Sequence, residues 1–471
     1  MPLIRIRDVN RASTENLYSG PYDEEFVVRK GDLLVGMDGD FRRAFWKGND
    51  ALLNQRVCRI IPRTALYETA FLHLVLQPYL NAINEETSSV TVKHLSSRTV
   101  SEIPLPLPPL NEQKRIVAKI EELFSELDAG EESLRRARRL LGVYRQSLLK
   151  QAFEGKLTAP WRKHNPHLLE SPDQLLKRIQ TEREARYKEQ IKDWESTVKK
   201  WEAGGRKQKK PPKPRQPKSI SNLTPDVRER LSKLALGWQW AKLGWMTTGP
   251  EYGSSAKSKK VGDCPVIRMG NIQRGEINWD DLVFSDDQDE IKQYLLASGD
   301  VLFNRTNSPE LVGKTAIYRG PHRAIFAGYL VRVNHIGSIV SGDFLTYFLN
   351  SHTARQYGNT VKTDGVNQSN INADKLMNYP FPFTSLPEQQ EIVRLLDEQF
   401  TAIDQNEREI AAALKRSAAL RQSILKKAFT GQLVLQDPTD EPAVKLLARI
   451  RTEREAAVKA PKEKVAKNTR P

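Results

Sequence analysis

The sequence predicts an α+β protein in which two mostly-β domains are separated by two long helices that form an antiparallel coiled coil. Two observations lead to this prediction: a long helical pattern occurs twice, and a plan of short strands precedes each copy. Together they predict a pseudo-twofold internal repeat. A chain of 471 residues is also long enough for two or three domains rather than one.

The two helical patterns share their start and stop signals. The first opens at Pro109-Leu-Asn-Glu-Gln and stops at Gly155, and the second opens at Ser385-Leu-Pro-Glu-Gln and stops at Gly431. Proline near a start and glycine just past an end are typical helix boundaries. About 40 residues lie between the signals of each copy, which is far longer than an ordinary globular helix.

Apolar residues recur at seven-residue spacing in both copies, which is the pattern of a coiled-coil seam. Two matched stripes of equal length are better explained by packing on each other than on separate cores. The helices should be antiparallel if a comparable domain lies at each end. In the second copy Ser417 interrupts the series and Leu420 stands beside it. The residues expected at the helix–helix contact are Ile120, Leu127, Leu134, Leu141, Leu148, Leu396, Ile403, Ile410, Leu420 and Ile424.

The segment before the first helical copy predicts short strands and one helix. Alternating or turn-bounded strands are expected at Leu3–Arg7, Gly31–Val35 and Gln55–Ile61, followed by a helix from Glu68 to Tyr79. The proline-rich stretch Ile103–Leu110 is expected to be extended.

The segment before the second copy repeats this plan. Pro265–Met269 corresponds to the first strand, Gly299–Phe303 to the second, and Phe344–Asn350 to the helix. The second domain also has a segment, Gly237–Cys264, that would precede Met1 in the first domain. We therefore expect the first domain to lack a strand and a loop, and an upstream start that restores them to rescue its folding.

The chain divides into six predicted parts. Between the repeats, Ser171-Pro-Asp-Gln174 is a capping-box start for a charged helix that runs to about Trp201. The parts are a first domain at 1–108, a central helix at 109–157, a charged helix and basic proline-rich linker at 158–236, a second domain at 237–384, a distal helix at 385–434, and a C-terminal helix and basic tail at 435–471.

Charge and cysteine content narrow the function class. The net charge of +16 and the pI near 9.6 favour an acidic partner, and nucleic acid before membrane. No run of 18 apolar residues exists, and the N-terminus has no signal-peptide pattern. Cys58 and Cys264 are isolated and have no metal-ligand spacing around them. These features predict a protein of the reducing cytoplasm.

Two motifs suggest chemistry that their context does not support. Ser308-Pro-Glu-Leu-Val-Gly-Lys-Thr315 nearly spells a P-loop, but its first glycine is replaced and a strand is expected after it, where phosphate binding needs a helix. Asn378-Tyr-Pro-Phe381 resembles the tetrad of DNA amino-methyltransferases without an accompanying glycine-rich cofactor loop. We expect no catalytic residue and no metal site.

Polar and basic loops are the remaining candidates for function. Arginine suits guanine edges, Asn and Gln suit adenine, and Lys suits phosphate. The predicted DNA-binding residues are Arg5, Arg7, Arg42, Arg43 and Lys93 in the first domain, and Lys257, Lys259, Lys260, Asn304, Arg305, Asn307, Lys362, Asn367, Gln368 and Asn370 in the second.

The paired junctions PLPPLNEQ and TSLPEQQ, the paired endings RQSLLKQAFEGKL and RQSILKKAFTGQL, and two LLxRIxTERE segments carry a resemblance. The chain resembles the specificity subunit of type I restriction-modification systems over nearly its whole length. The resemblance implies two target-recognition domains that each read half of a split site in double-stranded DNA. It also implies that the helices act as a spacer and bind two methyltransferase subunits.

By the same resemblance, restriction and translocation subunits join through the assembled complex. S-adenosylmethionine, ATP and Mg²⁺ are used by those partners, and this chain is expected to bind no cofactor.

Two other readings remain open from the residues alone. A self-contained DNA methyltransferase or nuclease would need cofactor and metal motifs that are missing from the sequence. A coiled-coil adaptor with no role on DNA would not explain two dissimilar domains on one framework, or the positive charge.

Overall fold

A computed structural model describes residues 1–11, 13–62, 64, 66–86, 93–205, 210–214, 216 and 223–459. The chain forms two compact units. The first unit consists of Met1–Arg136 with Glu409–Pro471, and the second of Ala137–Arg408. Much of the predicted basic linker and the end of the predicted basic tail lie outside the described residues.

Both long helices form, as Leu110–Phe153 and Leu386–Phe429, close to the predicted bounds. They pair antiparallel within each unit. In the first unit Arg421 bonds Asp128, and Ser417 donates to Glu131 at 2.8 Å. In the second unit Arg145 pairs with Asp404. Higher numbers on the first helix thus lie beside lower numbers on the second, which shows that the helices run antiparallel.

The seam between these helices is buried mainly towards their ends. Ile120, Leu148, Leu396, Ile403 and Ile410 are buried. On the first helix the predicted seam residues Leu127, Leu134 and Leu141 are half-buried. Ile424, near the end of the second helix, is also half-buried.

The prediction that Leu420 packs in the seam is wrong, because its side chain is 51% exposed. The series that contains Ile403 and Ile410 continues through Ser417, which is buried. A serine fits there because the hydroxyl donates to the Glu131 carboxylate. This hydrogen bond is also the main reason why the pKa of Glu131 lies below its usual range.

A Glu-Gln pair near the start of each long helix connects that helix to the domain that precedes it. In the second unit, Gln389 accepts from the Ser341 amide at 3.0 Å and donates to the Ile339 carbonyl at 3.0 Å. In the first unit, Gln113 accepts from the Glu68 amide at 2.7 Å and donates to the Pro108 carbonyl at 2.9 Å. A buried amide satisfied on both sides fixes the angle at which helix and domain meet.

The glutamate of the second pair, Glu388, is fully buried and collects four partners. Its carboxylate forms an ion pair with Arg162 and accepts hydrogen bonds from Thr158 at 2.7 Å, Trp238 at 2.9 Å and Thr384 at 2.6 Å. One side chain thereby ties the long helix to three other stretches of the unit. In the first unit Glu112 is buried too, and burial raises the pKa of its carboxyl.

The described part of the first unit contains two three-stranded sheets. Ala51–Leu53 is central in one and pairs parallel with Leu3–Ile4 and antiparallel with Val27–Val28. Leu33–Gly36 is central in the other, between Arg43–Phe45 and Val57–Ile60. The helices of this unit, besides its portions of the long pair, are Thr69–Glu86, Ser97–Ser101 and Ala443–Lys459. Phe71 of the first of these lies edge-on to Phe429, with ring centroids 5.9 Å apart.

The second unit contains a four-stranded antiparallel sheet in the order Thr315–Ile317, Val301–Asn304, Leu330–His335, Thr247–Tyr252. Its smaller sheets are Val283–Ser285 with Cys264–Ile267 and Ile325–Phe326; Thr306–Asn307 with Ser369–Asn370 and Thr363–Asp364; Pro380–Phe383 with Gln239–Lys242; and Ile272–Gln273 with Glu276–Ile277. The helices are Ala159–His164, Pro172–Ala203, Pro225–Glu229, Gln288–Tyr294, Gly342–Leu349, His352–Val361 and Ala373–Met377. The segment that begins the second domain thus contains a strand, Gln239–Lys242, which pairs with the stretch that leads into the second long helix.

The two ends of the segment between the repeats meet at one place within the second unit. The first long helix ends at Phe153, two residues before Gly155, whose φ is +72°. A Cβ on this glycine would lie 2.6 Å from the Cβ of Ala235. The Ala235 amide donates to the Glu154 carbonyl at 3.2 Å. The ends of a long excursion therefore meet in direct contact.

The charged helix Pro172–Ala203 has the predicted capping box, in which Ser171 and Gln174 exchange hydrogen bonds. Leu175 and Ile179 are buried in the core of the second unit. Farther along this helix, Trp194 donates to the Pro211 carbonyl at 2.9 Å, so the described part of the linker lies along the helix.

Candidate nucleic-acid interface

Three two-residue strands gather most of the predicted contacts of the second unit. Thr306–Asn307 pairs with Ser369–Asn370, which pairs in turn with Thr363–Asp364. The Asn370 side chain donates to the Thr306 hydroxyl at 2.7 Å. This small polar sheet brings together predicted residues that are distant in sequence, namely Arg305, Asn307, Lys362, Asn367, Gln368 and Asn370.

Arg305 is held over an aromatic ring beside this sheet. Its guanidinium lies 4.9 Å from the centroid of Tyr252, and it donates to the Gly328 carbonyl at 3.3 Å. The Tyr252 hydroxyl accepts from the Ala373 amide at 3.1 Å. An arginine stacked on a fixed ring is oriented in advance, which lowers the entropy lost when it binds a planar partner.

Asn304 does not lie on the surface, so the prediction that it contacts DNA is wrong. It is the last residue of Val301–Asn304 and is fully buried. Neither polar atom of its amide has a hydrogen-bond partner among the described residues. The physical reason is that both faces of this strand are covered, since all four of its residues are buried.

Lys362 is engaged inside the domain. Its side chain is only 14% exposed, and its ammonium lies 3.4 Å from the Asp364 carboxylate and 3.5 Å from the Pro309 carbonyl. Asn367 and Gln368, by contrast, are exposed at the turn of the hairpin. The turn is thus the more accessible half of this predicted loop.

The lysine-rich loop Lys257–Lys260 is mainly exposed. Lys259 forms an ion pair with Asp286 at 2.7 Å, and the hydrogen bond to that carboxylate raises the pKa of Lys259. Its backbone pairs with Phe284. Lys257 and Lys260 remain exposed on either side of this anchored residue, where they can reach phosphate.

In the first unit a second polar cluster forms around Asp38. His94 bonds this carboxylate at 2.6 Å, and Arg56 does so at 2.6 Å. The hydrogen bond with His94 is the main reason why the pKa of Asp38 lies below its usual range. Lys93 bonds the carbonyl of Asn84. The predicted loop at Lys93 therefore lies next to the turn that carries Arg42.

Arg42 is exposed beside Asp40, and Arg5 and Arg7 are exposed around the short turn Ile6–Asp8. Arg43 is different, because its side chain is half-buried, and its contact with DNA stays a prediction. Its guanidinium is turned inward, bonding the His73 ring nitrogen at 2.8 Å. Burial lowers the pKa of Arg43 to about 10.

The His73 ring is stacked on Phe45 at 4.5 Å. Burial, with Arg43 nearby, lowers the pKa of His73 to about 4. His73 is therefore neutral at physiological pH and accepts from the Arg43 guanidinium, which explains why this arginine is retained inside the domain.

One described cleft does not have the character of a phosphate site. It measures about 590 Å³ and lies in the second unit, against the side of the long helices. Five cations and five anions line it and largely pair with one another: Arg145, Arg274, Lys314, Arg319 and Arg355 with Glu276, Asp343, Asp397, Asp404 and Glu407. At its rim Arg274, with a φ of +51°, bonds Glu407 at 2.7 Å. We interpret the cleft as a joint between the domain and the helices.

Three exposed residues near the polar sheet were not predicted as contacts: Tyr252, Tyr329 and Val366. Their position depends on pairings across the chain that no local pattern reveals. Among the described residues no cluster of His, Cys, Asp and Glu could hold a metal. No described helix combines the length and the apolar composition needed to cross a membrane.

Comparison with known proteins places this architecture. Residues 1–134 and 246–416 match the family described as the type I restriction modification DNA specificity domain. The chain is 31% identical to the type I restriction enzyme EcoBI specificity subunit of Escherichia coli, over 97% of this chain and 87% of that protein. It is 24% identical to the EcoKI specificity subunit of Escherichia coli strain K12, over 80% of this chain and 70% of that protein.

Among solved structures, a chain from a study of complex assembly and conformational transition of the type I R-M system matches with a TM-score of 0.55. The identity is 19%, over 86% of this chain and 83% of that one. This likeness supports the fold. Since the family match covers more than half of the sequence in two regions that each extend into a long helix, the chain belongs to the type I restriction-modification DNA specificity family.

Proposed function

We propose that this chain is the DNA sequence-recognition subunit of a type I restriction-modification enzyme and has no catalytic activity itself. Recognition domains at 1–108 and 237–384 would each read one half of a bipartite site in double-stranded DNA. The observation that carries the proposal is that both regions matched by the specificity domain present exposed polar and basic side chains, and that these sets differ between the two units.

The same proposal assigns the partners. Two methyltransferase subunits would dock on the long helices, which also act as the spacer, and the restriction subunits would join the assembled complex in the cytoplasm. S-adenosylmethionine, ATP and Mg²⁺ would be used by those partners. Leu140 and Val143 support docking, because both are exposed and lie three residues apart on one side of the first long helix.

The proposal is tested by selecting DNA from a pool of randomised duplexes with the full chain, alone and with methyltransferase subunit. We expect two short specified parts separated by an unspecified spacer. Enrichment of a single uninterrupted motif, or of none, would overturn the proposal.

The docking assignment is tested separately with Leu140→Asp and Val143→Asp together. The double variant should lose co-purification with methyltransferase subunit while its melting temperature stays close to that of the wild type. A matched change at Leu435→Asp, an exposed leucine outside the long helices, should leave co-purification intact.

A further inference from the structure

The hairpin Thr363–Asn370 carries an apolar side chain at its tip. The Gly365 amide donates to the Gln368 carbonyl at 2.7 Å and closes a tight turn. Within this turn Val366 is 100% exposed. An isolated exposed valine is ordinary on a protein surface, so its meaning depends on what surrounds and supports it.

The hairpin is braced from both sides. On one side the Asn370 amide donates to the Thr306 hydroxyl at 2.7 Å, and on the other the Lys375 ammonium donates to the Thr363 hydroxyl at 2.7 Å. The backbone of Ile371 is bonded to the Arg305 carbonyl at 2.9 Å. These bonds hold the base of the hairpin on the domain, and Val366 at its tip is fully exposed.

The tip itself is uncharged. The carboxylate of the hairpin, Asp364, accepts from Ser369, which lowers the pKa of Asp364, and lies 3.4 Å from the Lys362 ammonium. The exposed residues beyond this pair are Val366, Asn367 and Gln368. Such a tip has little attraction for phosphate and instead combines a methyl-bearing side chain with two amides, which is the chemistry that contacts base edges.

Resting on the proposed function, we propose that this hairpin enters the major groove of one half-site and reads an A·T pair together with a neighbouring thymine. Val366 packs on the thymine C5-methyl group, while the amide of Asn367 or Gln368 bonds N6 and N7 of adenine. The major groove admits a two-stranded ribbon, and it is the groove in which thymine displays its methyl group. Arg305, whose backbone carbonyl bonds the end of the hairpin, lies beside it and would contact a further base.

The test uses the full chain with methyltransferase subunit and the duplex selected by the wild type. Each thymine of the motif is replaced singly by deoxyuridine, which removes only the methyl group. Wild type should lose about three- to five-fold in affinity at one thymine, the effect expected for one buried methyl. Val366→Ala should bind the thymine duplex more weakly by a similar factor and should no longer distinguish uracil from thymine there.

Val444→Ala is the matched control, because this valine is exposed on the C-terminal helix; it should keep the wild-type preference. If Val366→Ala distinguishes the two bases as well as wild type, or if uracil is tolerated at every position, the inference is overturned. The second result combined with weak binding by Val366→Ala would instead point to insertion between base pairs. Failure of the wild type to select any motif would overturn the proposed function itself.

Discussion

At the scale of single residues, Glu388 is a fully buried carboxylate that connects several elements of the second unit. Its four partners come from 158, 162, 238 and 384, so one carboxylate joins a long helix, a short helix and two sides of a strand pair. A buried charge is stabilising only while its partners are complete.

We therefore expect Arg162→Ala to cost about 3–5 kcal/mol of unfolding free energy, because it leaves a buried carboxylate without its cation. Urea denaturation of the full chain measures this. Arg394→Ala, on the long helix that carries Glu388, is the control. Arg394 forms exposed ion pairs with Glu391 and Glu398, so its replacement should change stability little. Similar losses for the two variants would show that the Glu388 cluster has no special weight.

His73 should make the first unit sensitive to acid. Its pKa is about 4 in the folded protein, below the ordinary value of 6.5. Between pH 6.5 and 4 the unfolded chain binds the proton and the folded chain does not, so stability falls as the pH is lowered through this window and is retained above it. Thermal unfolding of His73→Gln should show a shallower loss from pH 6.5 to 4 than wild type. Parallel curves for the two proteins would exclude this contribution.

Residue positions were also where sequence reasoning was least reliable. Asn304 and Arg43 are of residue types that commonly contact DNA. However, Asn304 is buried in a sheet, and the Arg43 guanidinium bonds the His73 ring. Leu420 is an apolar residue of the type expected in the seam, but the buried position there is taken by Ser417. In each case the choice between inside and outside depends on a partner far away in sequence, which composition and spacing do not specify.

At the scale of elements, the sequence was a better guide. The proline and glycine boundaries predicted both long helices, which begin one residue after the predicted openings and end two residues before the predicted glycine stops. The capping box at Ser171 predicted the charged helix. Short strands were found in the predicted places but as two- to four-residue pieces, because their ends are decided by cross-strand pairing.

The long helices should not be equally sensitive along their length. Leu148→Ala should cost about 2–5 kcal/mol, as expected for a buried leucine, and Leu134→Ala clearly less, because Leu134 is only half-buried. Chemical denaturation of the two single variants measures the difference. An equal or larger loss at Leu134 would mean that the middle of the helix pair is packed as tightly as its end.

At the scale of the whole molecule, charge governs the encounter with DNA. With a net charge of +16, affinity should fall steeply as salt is raised, because phosphate contacts release counterions. Lys260→Ala should reduce the slope of log affinity against log salt by about one and weaken all sequences alike, whereas Arg305→Ala should relax the choice of bases in one half-site. Lys427→Ala, on the second long helix, serves as the control. An unchanged slope for Lys260→Ala would remove that lysine from the interface.

The meeting of Glu154 and Ala235 has a consequence for protein engineering. Because the excursion begins and ends at one point of the second unit, its outer part can change length without displacing the elements on either side, and loop length itself has a weak thermodynamic effect. Replacing residues 188–218 with a short glycine-serine linker should therefore keep the melting temperature close to that of the wild type, provided that Leu175 and Ile179 remain. The same place should accept a fluorescent reporter, whose emission would then follow the subunit through assembly on DNA; a large drop in melting temperature on either change would show that the outer excursion supports the fold.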